Sequence, residues 1–124
     1  MSTPDPDRER AFDPRRLGAD GEQVVAEWYR SHGYDVVGQN WRCAEGELDL
    51  VLEGPDGGVV ICEVKTRSGT RFGTPFDAVG PRKQARLRRL AARWLREHPA
   101  PPREVRFDVA GVIGRRVEVI EAAF

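Results

Sequence analysis

The chain has 124 residues, 40% of them hydrophobic and 32% charged, with 20 basic and 20 acidic side chains. That length and composition suit one water-facing domain with a core of its own. They offer no global positive charge to draw in nucleic acid, so any such role must rest on local charge. No apolar run approaches the ~18 residues of a membrane-spanning helix. The opening stretch Met1-Ser2-Thr3-Pro4-Asp5-Pro6-Asp7 lacks the apolar centre of a signal peptide. The expectation is a cytoplasmic protein with no membrane partner. Cys43, Cys62, His32 and His98 are scattered, without the spacing of a zinc site or a Cys/His nucleophile pair. Cys62 lies in an apolar run and reads as core, and a disulfide is not expected in a reducing compartment.

Residues 1–13 are polar, with prolines among charges, and read as a flexible tail; residues 14–124 read as a single domain. Asp13-Pro14 resembles an N-cap followed by proline at the first helical position. Leu17, Gly21, Val24, Val25 and Trp28 then recur at helical spacing, and Gly33 supplies a stop. Glu22 falls at the edge of that stripe, on the Val25/Tyr29 side, where it can snorkel to water or lean over a neighbouring sheet. Gly18, Ala19 and Gly21 keep the helix surface small around it, permitting a close approach.

A strand over Tyr34 to Trp41 leads into the most informative stretch. Gly46-Glu47-Leu48-Asp49-Leu50-Val51-Leu52-Glu53 and Val59-Val60-Ile61-Cys62-Glu63-Val64-Lys65 flank the turn Gly54-Pro55-Asp56-Gly57-Gly58. This predicts a β-hairpin. With the loop symmetric about Asp56, Asp49 lies opposite Glu63, and Glu47 opposite Lys65. A strict side-chain period of two puts all four on one face. It also puts Leu48, Leu50, Leu52, Val60, Cys62 and Val64 on the other, to be covered by a helix. Opposed like charges only ~5 Å apart are unfavourable in a sheet unless the face is solvated or a cation sits between them.

Thr66-Arg67-Ser68-Gly69-Thr70-Arg71-Phe72-Gly73 reads as a cationic loop, either a plain surface connection or a lip for phosphates. Gly80-Pro81 opens a second helix, or breaks one that began near Thr74-Pro75, and its core stripe is Leu87, Leu90, Ala91, Trp94 and Leu95. Arg82, Arg86, Arg89, Arg93 and Arg96 share another face, though like charges at such spacing repel. They form either a solvated face or one that tracks phosphates. Lys83 falls with the apolar stripe, so its ammonium either snorkels or reaches the charged face of the hairpin. After Pro99-Ala100-Pro101-Pro102, Val105-Arg106-Phe107-Asp108-Val109 and Val117-Glu118-Val119-Ile120 form a last hairpin turned at Gly114, with Arg106 and Asp108 placed to pair. The order α-β-β-β-α-β-β makes an α/β domain, a mixed β-sheet flanked by helices.

Glu22, Asp49, Glu63 and Lys65 together suit metal-assisted attack on a phosphodiester: a cation to neutralise phosphate charge and activate water, and a lysine beside it. No P-loop is present, and a glycosidase would not need the lysine or the arginine face. Asp49 followed by Glu63-Val64-Lys65 resembles the core of the PD-(D/E)XK nuclease superfamily. The proline of that name is absent, Leu48 standing before Asp49. More specific resemblances are Leu17-Gly18, Gly21-Glu22, Gly33-Tyr34, Asn40-Trp41-Arg42, Gly46-Glu47-Leu48-Asp49-Leu50, Glu63-Val64-Lys65, Arg67, Phe72-Gly73, Ala78-Val79, Lys83 and Phe107-Asp108-Val109. Along nearly the whole chain after the tail these resemble the YraN-like family of small bacterial proteins, similar in fold to archaeal Holliday-junction resolvases.

That resemblance implies a restriction-endonuclease-like fold, with Asp49, Glu63 and the Val64 carbonyl as ligands of Mg²⁺ or Mn²⁺. It further implies Lys65 as catalytic lysine and Glu22 as the helix-borne glutamate that completes the site. The hairpin register itself adds Glu47 as a positioning residue for Lys65. Arg67, Arg71, Arg82, Lys83, Arg86, Arg89, Arg93 and Arg96 are the expected nucleic-acid contacts. The resulting expectation is a metal-dependent endonuclease on branched or damaged DNA, a two-fold homodimer if it makes two symmetric cuts. The alternatives are a nucleic-acid-binding module that cleaves nothing and a protein-interaction domain on the same fold.

Overall fold

The computed structural model describes residues 14–67, 79–98 and 104–124. The expected N-terminal tail, residues 68–73 of the cationic loop (Arg71 among them) and Thr74-Pro75 lie outside the described residues, as does the Arg67 side chain. Thr66 and Arg67, expected in that loop, instead end β3. In chain order the elements are α1 (Pro14–Ser31), β1 (Asp35–Cys43), β2 (Gly46–Glu53), β3 (Val59–Arg67), α2 (Pro81–Arg96), β4 (Val105–Ile113) and β5 (Arg116–Ile120). This is the expected order, and it builds one mixed five-stranded sheet, β1-β2-β3-β4-β5, flanked by helices. All neighbours pair antiparallel except β3 and β4, which run parallel. A parallel pair cannot be joined by a tight turn, and α2 supplies the crossover. Among the described residues no helix is long and apolar enough to cross a membrane.

Local signals set the element ends. Gly33 (φ +87°) closes α1 with a Schellman motif: the Tyr34 N–H reaches the Tyr29 carbonyl at 3.1 Å, and the Gly33 N–H the Arg30 carbonyl at 3.1 Å. Pro81 opens α2 behind Gly80. The β2–β3 turn is closed by the Gly54 N–H on the Gly58 carbonyl at 2.8 Å. Its strands pair as a loop symmetric about Asp56 requires: Leu50 with Cys62, Val51 with Ile61, Leu52 with Val60.

Both faces of the sheet are covered, not one. Val25, Ala26 and Tyr29 of α1 pack on Leu50, Leu52, Val60, Cys62, Ala110 and Val112. Leu87, Leu90, Ala91 and Trp94 of α2 pack on Leu48, Val51, Val59, Ile61, Phe107 and Val109. Continuous apolar runs such as Leu50-Val51-Leu52 and Val59-Val60-Ile61-Cys62 are the mark of strands buried on both sides. Gly21 lies against β3 so closely that a Cβ there would meet Thr66 Oγ1 at 2.1 Å.

One buried charge serves the packing. Asp108, its side chain fully inaccessible, accepts the Tyr29 hydroxyl at 2.6 Å, the Ala122 N–H at 3.0 Å and both the Nε (2.8 Å) and Nη2 (2.9 Å) of Arg106. The expected Arg106–Asp108 pair is therefore present as a two-point contact, the strong form of this interaction. Hydrogen bonds to Asp108 hold the Arg106 guanidinium above its ordinary pKa against the opposing effect of burial. Tyr29 stays protonated: burial first, then the charges of Cys62 and Asp108, raise its pKa.

Candidate metal centre

The site forms where β2 and β3 part. Their ladder runs from Glu53/Val59 to Leu50/Cys62. Past that point Asp49 replaces backbone pairing with its side chain, Oδ2 accepting the Val64 N–H at 2.9 Å. On the other side of β2, the β1 register slips between Val36 and Gly38. Asn40, between Gln39 (opposite Leu50) and Trp41 (opposite Leu48), kinks the strand by taking the left-handed region (φ +52°). Asparagine is among the few residues that tolerate that conformation.

This kink overturns the expectation that Glu47, Asp49, Glu63 and Lys65 share one face. Leu48 packs on the α2 side and Leu50 on the α1 side, although their numbers share a parity. The period of two fails at Asp49 because the strand there is no longer regular. Glu47 and Asp49 gather with Glu22 of α1, one carboxylate oxygen of each lying within 4.8 Å of the others. Glu63 is approached by Lys83 from α2, Nζ to Oε1 2.5 Å, and by Lys65 at 3.5 Å on the same oxygen.

Glu22 is more central than its expected boundary place. It continues the buried line of Val25, Ala26 and Tyr29 at helical spacing, and Oε2 is buried without a hydrogen-bond partner among the described residues. Burial raises its pKa, a contact with the Asn40 side chain opposes this, and the Glu47 and Glu63 charges raise it further. Asp49 is pushed up to about 7, first by burial and then by Glu63; the Val64 N–H works against the shift, and Glu22 and Glu47 add to it. The Lys65 pKa is lowered by burial and by Lys83, with Glu63 pulling it back. For Lys83, burial opposes the charge but loses to Glu63, Lys65 and Asp49, so its pKa is raised. Glu22 and Asp49 are thus carboxyls whose charge the site's own cations do not offset, and both are pushed toward the protonated form. The cluster's donors are all carboxylate oxygens, the set preferred by hard divalent cations.

The expected Glu47–Lys65 pair does not form. Glu47 meets Arg42, its direct neighbour across β1, Oε2 to Nε 2.9 Å. Because β2 leaves β3 below Leu50, its N-terminal half follows β1, and Glu47 joins Glu22 and Asp49 as a potential ligand rather than positioning Lys65. Lys83 reaches the charged cluster, as its place on the α2 wheel requires. Arg82, Arg86, Arg89 and Arg96 are exposed and make no ion pair with another described residue. Arg93 differs, lying 3.7 Å from Glu45 and 3.9 Å from Glu97. Asn40 and Arg42 were not anticipated as part of the site; the signal available was a poor strand former in mid-strand beside a charged neighbour.

Residues 21–112 match the family described as "Uncharacterised protein family UPF0102". A UPF0102 protein of Frankia alni is 55% identical over 114 residues, covering 87% of this chain and 93% of its own. One from Frankia casuarinae is 52% identical over 114 residues (87% and 95%), and one from Beutenbergia cavernae 54% over 100 residues (81% and 84%). Among solved structures, Pyrococcus furiosus SfsA in complex with Ca²⁺ is similar at a TM-score of 0.34 and 14% identity, over 88% of this chain and 62% of that one. A likeness at that level carries nothing about the site. The sequence relatives suffice: this chain belongs to the UPF0102 family, the YraN-like group.

Proposed function

We propose that the protein is a metal-dependent nuclease, with branched or damaged DNA as its favoured substrate class. The observation that carries this reading is the oxygen cluster of Glu22, Glu47 and Asp49, holding a buried unpartnered oxygen, with Glu63 close enough to Asp49 to raise its pKa and Lys65 3.5 Å from Glu63. Membership of a family resembling the PD-(D/E)XK nucleases supports it.

Asp49 would be the central ligand, with Glu22 and Glu47 on one side and Glu63 on the other. The Val64 carbonyl is a further candidate: a strand residue's N–H and C=O leave the same edge, and the Val64 N–H already faces Asp49. Bound Mg²⁺ or Mn²⁺ supplies charge neutralisation at the phosphate and a lowered pKa for an attacking water. Lys65, its side chain 21% exposed, would be available to orient such a water and to offset charge building on the phosphate oxygens. Burial and Lys83 both favour its giving up a proton, so it can orient the water or accept from it. The exposed Arg82, Arg86, Arg89 and Arg96 hold backbone phosphates along α2 and set orientation rather than sequence. Symmetric cutting of a junction would need a homodimer.

The test is cleavage of junction, flap and single-stranded DNA in Mn²⁺ by the wild type and by Asp49→Ala with Glu63→Ala. The wild type cuts at least one substrate and the double variant none; equal inactivity of both overturns the reading. A second reading, a nucleic-acid-binding module that cleaves nothing, is favoured by one observation: two ammonium groups already neutralise Glu63. It predicts that same inactivity together with binding that weakens steeply with salt.

A further inference from the structure

Lys83 is placed where nothing in helix stability asks for a cation. It lies in the first turn of α2, a turn without any acidic residue, where the positive end of the helix dipole disfavours positive charge. Its ammonium nevertheless makes the closest ion pair in the site, 2.5 Å from Glu63 Oε1, whereas Lys65 stands 3.5 Å from the same atom. The Glu63 side chain is only 9% exposed, so its charge requires a counter-ion whenever it is ionised. Lys65 is fixed two residues along the same strand. Lys83 arrives from another element, at the end of a long flexible stem, next to Arg82 of the exposed arginine face. It can leave Glu63 without disturbing β3, and a phosphate bound along α2 would give it another partner.

Resting on the metal-site reading above, we infer that Lys83 is a resident counter-ion that competes with the divalent cation for Glu63 and gives it up when substrate phosphate arrives. A cation ligated by Oε1 and an ammonium at ion-pair distance on the same oxygen repel each other, so each weakens the other's hold on Glu63. Before substrate binds, the cation is therefore held by Glu22, Glu47 and Asp49 without the full help of Glu63. A phosphate that draws Lys83 away completes the ligand set. Nucleic acid and cation then bind with positive coupling, each tightening the other by the same factor. The protein would avoid assembling a fully liganded cation in the absence of substrate.

The experiment is a calorimetric Mn²⁺ titration of the wild type and Lys83→Gln, with and without a short single-stranded DNA oligonucleotide. In the wild type the oligonucleotide tightens Mn²⁺ binding by about tenfold, within the usual range of such couplings. In K83Q the tighter affinity is present from the start and the oligonucleotide adds little. K83Q binding Mn²⁺ no more tightly than the wild type overturns the inference while leaving the metal site standing. No Mn²⁺ binding by either protein overturns both. Should K83Q not fold, the wild type alone decides: acylation of Lys83, followed by peptide mass spectrometry, increases when Mn²⁺ and oligonucleotide are added together. Unchanged labelling overturns the inference.

Discussion

Two carboxylate centres hang from α1, about two turns apart on one face of the helix, ~10 Å along its axis. At Tyr29 the partner is Asp108, whose oxygens are taken by a hydroxyl, a backbone N–H and the guanidinium of Arg106. At Glu22 the partners are Glu47 and Asp49, and a buried oxygen is left without a hydrogen bond among the described residues. Buried polar groups in native proteins are almost always satisfied, and an orphan calls for an explanation. The first centre is complete without any added ligand, so it serves stability. The second leaves three carboxylates crowded together with an oxygen unpartnered among the described residues, an arrangement that could hold a cation. The same helix carries both because its rigidity fixes one by anchoring the other.

That contrast is tested first by substitution. Asp108→Ala leaves Arg106, the Tyr29 hydroxyl and the Ala122 N–H without their acceptor, and urea unfolding should show a loss of about 3–5 kcal/mol. Asp49→Asn in metal-free buffer at pH 8 should move the other way, raising the unfolding midpoint, because an amide removes repulsion yet can still accept from the Val64 N–H. Equal destabilisation by the two variants would erase the distinction between the centres.

The next effect is the metal response. At a Mn²⁺ concentration a hundredfold above its dissociation constant, wild-type stability should rise by about 2.7 kcal/mol. Asp49→Asn should remove that gain, and Asp108 variants that still fold should keep it; thermal melts with and without Mn²⁺ decide. A gain that persists in Asp49→Asn would place the cation elsewhere.

Much of this was legible before the fold was seen, and the exceptions have physical causes. The β2–β3 register followed from a loop symmetric about Asp56, because turn geometry fixes register. Lys83 could be aimed at the sheet because a helical wheel is accurate over a single turn. The segregation of Glu47 from Lys65 was not legible. It depends on Asn40 adopting positive φ and on β2 leaving β3 below Leu50, and a strict period of two cannot represent either. The second buried face was missed for a related reason. Charges at Asp49, Glu63 and Lys65 drew attention to the odd positions, while Val51, Val59 and Ile61 on those positions are core.

A separate expected effect is a pH slope. The Asp49 carboxyl titrates near 3.8 ordinarily and at about 7 in the folded protein. Between those values the folded state holds a proton that the unfolded chain has released. The stability linked to this proton is therefore fully present below the lower value and is lost as pH rises through the upper one. Metal-free unfolding midpoints should fall across that window in the wild type and vary less in Asp49→Asn. With Mn²⁺ the slope should reverse, since ligation needs the deprotonated carboxylate.

Gly21 sets the dimensions of all this. Glycine within a helix is unfavourable by about 1 kcal/mol relative to alanine, yet a single methyl here would strike Thr66 of β3. To admit it, either the Thr66 side chain turns aside or α1 lifts from the sheet, and the next side chain along is Glu22. The gap between the helix-borne carboxylate and Asp49 is thus gauged by an absent methyl group, a spacer of zero thickness. An alanine at this position that lifted the helix would enlarge the space between the three carboxylates of Glu22, Glu47 and Asp49 without touching any of them.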